Sequence, residues 1–260
     1  MTYKYIFNSI QEYYDYLTSP KALQRANARP YQESKDNTYN FTQSRSLDDA
    51  LDLLRNGTND PQYSLNPKAP VVSSTSKPCK VASTAPIGFA PHVPNALRNL
   101  PNSMVTRIDS RRTQPVPAKS ITIVKDVSYA GHMNADTIRQ LNLKTTEYIR
   151  SLLLAPVAPR VTVYAHIGVR YYNNDQFHIF VKLKSADQRL VIPQLNFSLC
   201  HPSFLRRCFF RFEEVCPDIF KVQGGYGSPL QEARPELLQM PNTEVQWIAG
   251  KDSLPQGVTL

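Results

Sequence analysis

Leu47, Ala50, Leu51 and Leu54 recur at i, i+3, i+4 and i+7, the spacing that lines up apolar side chains on one helix face. Ser46 stands three residues before Asp49 as an N-cap, and Gly57 supplies a left-handed stop, so a helix is expected up to Asn56. Asp48 and Asp49 suit its positive end and, with Asp52, form a solvated acidic face rather than a metal site. Upstream, Ser9 and Glu12 make a capping box, and a short helix is expected over 10–17, stopping before Ser19-Pro20. Its tyrosines at 13, 14 and 16 fit a surface helix laid on the body of the protein.

The clearest pattern begins at Ser120. Ile121, Thr122, Ile123 and Val124 are β-branched and predict a strand. Asn134 caps a long helix whose stripe is Ile138, Leu141, Thr145, Tyr148, Ile149 and Leu152, ended by Ala155-Pro156. Strands are expected over 161–169 and 177–184, joined by a hairpin around Asn173-Asn174-Asp175. A helix between two strands favours a parallel βαβ crossover. The fold class is therefore α/β, a small three-layer sheet with helices.

Elsewhere the periodicity fades. Residues 58–119 hold ten of the 21 prolines and read as an extended basic linker, with a short island at 91–105 apolar enough to pack on a neighbour. Residues 217–260, with Gly224-Gly225-Tyr226-Gly227 and scattered prolines, read as an irregular tail with one short helix near 230–240. The expected organisation is a helical region at 1–57, the linker at 58–119, the α/β core at 120–216 and the tail at 217–260.

The net charge of +9 matters because of where it lies. Residues 61–120 carry eight basic side chains and one acidic, and 121–216 carry twelve and seven. Both ends are slightly acidic. No apolar run is long enough to span a bilayer, and the polar, aromatic start is no signal peptide, so a cytoplasmic chain without membrane contact is expected. Four cysteines, at 79, 200, 208 and 216, are too unevenly spaced for a disulfide framework and are expected reduced.

The chemistry concentrates in LCHPSFLRRCFFRFEE, residues 199–214. Pro202 suits a first helical turn, and Phe204, Leu205, Cys208, Phe209 and Phe212 then share one face. Arg206, Arg207, Glu213 and Glu214 fall largely outside it. Alternation of Cys208, Phe210 and Phe212 offers a competing strand, but length and the proline start favour a helix. Cys200 and His201 are adjacent and diverge, and the spacings to Cys208 and Cys216 match no zinc knuckle. Arg107, Arg111, Arg112, Lys182, Lys184, Arg206 and Arg207 are the candidate contacts to nucleic-acid phosphates. Phenylalanines that fill a core cannot also stack on bases.

Asp126 and Ser128, after the first strand of the core, form a candidate ligand turn where α/β folds place ligands. The pattern is similar to the D-x-S-x-S metal-adhesion motif of von Willebrand A domains, but Ala130 removes one hydroxyl. Gly224-Gly225-Tyr226-Gly227 lacks the lysine of a phosphate loop. Nothing assembles a nucleophile, base and orienting group, so no catalytic residue, metal or cofactor is expected.

Three ordered segments resemble an uncharacterised family of bacteriophage and prophage proteins. Asn40–Gly57 is similar to its F-x-x-S-x-S-x-x-E-A-x-x-L-x-x-x-G helix, 93–104 to a short stretch ending P-x-x-M, and 201–207 to its H-P-x-x-L-R-R signature. Leu100 stands where that family's glycine is usual. The resemblance covers residues 40–214 and implies a phage or mobile-element origin and a degenerate von Willebrand A-like central domain, with no activity attached. The expectation is a non-enzymatic accessory protein that holds a protein partner; the alternative is a nucleic-acid-associated factor in replication or packaging.

Overall fold

A computed structural model describes residues 1–29, 32–63, 76–98, 100–115, 120–154, 159–171, 174–220, 226–230, 235–238 and 243–255. At 76–83, 107–115, 220 and 235 it describes the backbone alone. The strands are β1 (Thr2–Phe7), β2 (Ser76–Ala85), β3 (Ala90–Pro91), β4 (Met104–Pro115), β5 (Ser120–Asp126), β6 (Arg160–Arg170), β7 (Gln176–Lys184), β8 (Ser228–Pro229) and β9 (Glu244–Ile248). Short and long helices alternate with them. In the N-terminal part these are α1 (Ile10–Thr18), α2 (Pro20–Asn27), α3 (Glu33–Asp36), α4 (Tyr39–Thr42) and α5 (Leu47–Asn56). They are followed by α6 (Val93–Leu97), α7 (Ala135–Leu154), α8 (Ile192–Cys200), α9 (Phe210–Val215) and α10 (Pro217–Phe220). Residues Phe204–Phe209 form a π-helical turn that leads directly into α9.

The chain divides into two compact units. The first comprises Met1–Pro70, Lys119–Leu154 and Pro159–Leu260; the second comprises Val71–Ala118 with Ala155–Ala158.

The first unit is a mainly parallel sheet in the order β1-β7-β6-β5-β9, with β8 added antiparallel to the end of β6. The crossover from β5 through α7 makes β5 and β6 parallel, and β6 and β7 form the antiparallel hairpin, both as the periodicity predicts. Asn174 carries the hairpin's positive φ of 62°, which asparagine tolerates. The three predicted caps form: Ser9, Ser46 and Asn134 accept from the N–H groups of Glu12, Asp49 and Thr137 at 3.0, 3.0 and 2.7 Å.

Alternation along the strands separates two faces. Ile123, Val163, Ala165, Ile167, Phe177 and Ile179 join the large core. Helices of the first unit bury apolar residues in that same cluster, among them Tyr13, Leu54, Ile149, Leu195 and Phe212. Val124, Tyr164 and Phe180 face the other way and meet Leu238, with Trp247 packed beside them. A three-layer sheet would put helices on both faces. Here, among the described residues, the second face is met by a 3-10 turn, Pro235–Leu238.

Several elements differ from the sequence reading. Thr2–Phe7 is a strand, parallel to β7, ahead of the first expected helix. Tyr13 of α1 is fully buried, so this helix belongs to the core. The tail supplies β8 and β9, and its expected helix is the 3-10 turn. Lys125, buried on β5, ties that tail down: its ammonium donates to the carbonyls of Ala249 and Asp252 at 2.8 and 2.7 Å. Burial pushes this lysine down to about 8, against the upward pull of Asp126 and Asp252. Gly57 stops α5 with φ 79°, but its ψ of −179° is extended rather than helical.

In the second unit β2, β4 and β3 form an antiparallel sheet in that order, so the stretch read as a linker carries strands. Pro91 and Pro115 end strands and Pro94 sits in the first turn of α6, places where a missing N–H costs little. Val105 is its one buried apolar side chain among the described residues. Ile87, Phe89, Val93, Leu97 and Leu100 are exposed, Ile87 and Leu97 to 85% and 81%.

Candidate functional site

The segment after α8 is the chemical centre of the first unit. His201 and Pro202 turn the chain, and residues 202–215 then run as one helical rod that includes the π turn. Its aromatic face is core: Phe204, Phe209 and Phe212 are buried, and Tyr13 and Phe7 pack against them. Its charged residues are also buried, which corrects the expectation that they lie outside the core face. Arg206, Arg207, Arg211, Glu213 and Glu214 are each 2% exposed or less.

The residues before α5 fold over the rod and pair with Arg206, Arg207 and Glu214. Arg207 Nε donates to Ser44 Oγ at 2.7 Å, and its terminal nitrogens donate to the carbonyls of Ser34, Asn37 and Ser44 at 2.8, 2.9 and 3.1 Å. Arg206 donates to the carbonyls of Phe41, at 2.6 Å, and Met133, and lies over the Phe41 ring at 3.9 Å. Desolvation pushes Arg206 down to about 10. Ser203 Oγ donates to Thr42 O, and Glu214 accepts from the N–H and hydroxyl of Ser34 and from Tyr226. Arg211 stands 3.4 Å from Glu214. Arg207 thereby directs its guanidinium wholly to internal acceptors, and Arg206 turns both terminal nitrogens to backbone carbonyls.

The remaining candidates divide similarly. Lys184 is buried and donates to Val161 O and Ser185 O at 2.9 Å each, and burial lowers its pKa. Lys182 is half-buried, 3.3 Å from Asn8 Oδ1 and over the Tyr164 ring. Arg107, Arg111 and Arg112 fall on β4, where the backbone alone is described.

Asp126 and Ser128 do come together, as a buried turn. Ser128 donates from both its N–H and its hydroxyl to Asp126 Oδ1, at 3.0 and 2.6 Å, and its Oγ accepts from the Gly168 N–H at 2.7 Å. His166 Nδ1 lies 3.5 Å from the same carboxylate oxygen, and its Nε2 faces His178 Nδ1 at 3.1 Å. The serine hydroxyl thus bonds straight to the carboxylate, with no imidazole between them to take its proton. Among the described residues no three His, Cys, Asp or Glu side chains gather closely enough to hold a metal ion. Cys200, Cys208 and Cys216 are free and buried; Cys79 lies where no side chain is described.

A cavity of about 250 Å³ opens beside this turn, at the carboxyl ends of β5 and β6. Ser128, Tyr129 and Val169 line it from the sheet, Phe209 and Glu213 from the rod, and Tyr226 closes one side. Glu213 accepts the Tyr171 hydroxyl on one oxygen, while its buried Oε2 has no hydrogen-bond partner. Burial pushes its carboxyl up to about 8, with the Tyr171 bond, the Gly227 N–H and Arg29 pulling the other way. The sequence reading missed Glu213 as a site residue. Its signal was spacing: Leu205, Phe209 and Glu213 follow at intervals of four, which puts a carboxylate in line with two core residues.

No helix among the described residues is long and apolar enough to cross a membrane. No curated protein and no solved structure matches the chain. Residues 1–249 match the model of a family described as Domain of unknown function (DUF7192), and the chain belongs to that uncharacterised family.

Proposed function

We propose that this chain is a non-enzymatic accessory protein, encoded by a phage or mobile element, that acts in the host cytoplasm by holding a protein partner. The observation that carries the reading is the exposed apolar run of the second unit: Ile87, Phe89, Val93, Leu97 and Leu100 face solvent. Exposed apolar residues at that density mark partner-binding surfaces. The first unit supports the same reading, because its arginines and its Asp126–Ser128 turn are committed to internal hydrogen bonds. The phage origin rests on the resemblance of residues 40–57, 93–104 and 201–207. With its parallel crossover, the first unit is read as a reduced von Willebrand A-like or Rossmann-like layer that keeps helices on one face.

A photo-reactive phenylalanine analogue at position 89 or 97 tests the reading in cells that carry the native gene neighbourhood. One discrete cross-linked species is expected at both positions, absent when Ile87 and Val93 are replaced by serine and absent with the probe at exposed Lys144. No adduct at 89 and 97, or the same adducts at 144, overturns it.

A second reading, nucleic-acid association, is favoured by one specific feature. Residues 61–120 carry eight basic side chains against one acidic, and three of the arginines lie along β4. Phosphate contact of that kind weakens steeply with salt. A salt titration against DNA and RNA decides it: no binding at low salt removes the reading, and salt-sensitive binding lost on Arg107→Glu, Arg111→Glu and Arg112→Glu supports it.

A further inference from the structure

The cavity at the carboxyl ends of β5 and β6 holds one buried carboxyl oxygen without a hydrogen-bond partner. Ser128 Oγ already donates to Asp126 and accepts from Gly168. The Tyr129 hydroxyl accepts from Asn142 at 2.6 Å. The Tyr226 hydroxyl donates to Glu214 and accepts from the Glu33 N–H. Arg206 gives one terminal nitrogen to each of two carbonyls. Glu213 Oε2 is buried and without a hydrogen bond.

We propose that this cavity is a binding site for an organic cation, a primary ammonium or guanidinium group carried on a short apolar stem, with Glu213 as its anchor. A buried acceptor without a partner is costly, and a ligand N–H donor relieves that cost. The walls suit such a stem: Phe41, Phe209, Phe210 and Tyr226 line the cavity, and aromatic side chains attract cations. Glu33 adds a second carboxyl to the lining. An anion is disfavoured, because Glu213 and Glu33 put two carboxyls in the lining against the single guanidinium of Arg206, which is already turned to the Phe41 and Met133 carbonyls. The location agrees with the general rule that α/β sheets bind ligands outside the carboxyl ends of their strands, and π-helical turns recur at functional sites. The inference uses none of residues 87–100 and stands apart from the partner reading.

The same cation chemistry arrives either as a free small amine or as a lysine side chain of another polypeptide. Titration calorimetry on the full chain separates them with benzylamine in one arm and the capped tripeptide Gly-Lys-Gly in the other. Saturable binding is expected in at least one arm, with benzyl alcohol and benzoate bound roughly tenfold more weakly or not at all. Glu213→Gln, which keeps the shape and the Tyr171 contact, is expected to weaken binding by roughly tenfold. Between pH 6 and 8.5 wild-type affinity rises as Glu213 ionises, and the glutamine variant loses that rise. The groups facing Glu213 are Tyr171, Arg29, the Gly227 N–H and Glu214, with Glu33 and Arg206 across the cavity. Phe210→Ala, a half-exposed wall position, is the second variant and is expected to weaken binding without unfolding the core. No saturable binding in either arm overturns the proposal, as does benzoate or benzyl alcohol binding as tightly as the amines. Unchanged affinity in both variants overturns it too.

Discussion

Arg207 and Ser44 are joined twice: the guanidinium Nε donates to the serine hydroxyl at 2.7 Å, and Nη2 donates to the serine carbonyl at 3.1 Å. The two residues belong to different family-like segments, 40–57 and 201–207, more than 150 positions apart. Ser203 Oγ also accepts from the Ser44 hydroxyl, at 2.7 Å, and Arg206 donates to the Phe41 carbonyl. The paired arginines therefore belong with the serines because they fasten the N-terminal segment to the core.

Arg207→Met tests that role. The carbonyls of Ser34, Asn37 and Ser44 would each lose a donor, and unsatisfied buried acceptors cost about 1–3 kcal/mol apiece. A loss of about 3 kcal/mol or more is expected, read as a lower urea midpoint with unchanged slope. Arg207→Lys should recover little, since one ammonium cannot span the fork of a guanidinium. A midpoint within about 0.5 kcal/mol of wild type would remove the fastening role.

The sequence shows the β5–α7–β6–β7 run because each element carries its own periodicity and cap. It hides β1, β8 and β9 because short strands declare themselves through their neighbours in the sheet, and those neighbours are far away in sequence. The charges of the rod misled for a related reason. Pattern reading sends arginine and glutamate outward, but the fold of 32–46 over Arg206, Arg207 and Glu214 creates a polar interior that no local window contains. A π turn also adds a residue to each hydrogen-bonded loop, so the helical face drifts from the one a regular helix would present. The cavity acid Glu213 was visible only as a carboxylate spaced with core residues.

Gly57→Ala is expected to destabilise the first unit for two separate reasons. The backbone there has φ 79° with extended ψ, a region open almost only to glycine. An added Cβ would also stand 2.2 Å from the Pro193 carbonyl carbon at the start of α8. Thermal unfolding should show a loss of more than about 1 kcal/mol. A neutral or stabilising effect would mean that α5 and α8 are not held this closely.

The three described cysteines should be chemically silent in the native protein. Burial pushes the Cys200 thiol up to about 12 and raises Cys208 as well, with Lys125 and Arg207 respectively opposing the shift. All three are fully buried. A Cys79→Ser variant, which removes the thiol outside the described side chains, should show no reaction with a disulfide reagent at pH 8 until guanidinium unfolds it, and then three equivalents. Rapid labelling of any of them in the native state would contradict the packing around 200–216.

Stability should depend on pH with a sign set by Glu213 and His201 together. Burial raises Glu213 from 4.5 to about 8, so between those values the folded chain holds a proton that the unfolded chain lacks, and stability falls as pH rises. Burial lowers His201 from 6.5 to about 4, with Asp49 and Asp60 opposing; between those values the unfolded chain holds the extra proton, and stability rises with pH. The two slopes cancel where they overlap, from 4.5 to 6.5. From 6.5 to 8 Glu213 acts alone of the pair, and urea midpoints should drop at up to about 1.4 kcal/mol per pH unit. Glu213→Gln should remove that drop and unmask the opposite slope between pH 4.5 and 6.5, which His201→Asn then abolishes. A wild-type profile rising from pH 6.5 to 8 would show that the carboxyl in the cavity is ionised and paired rather than held neutral.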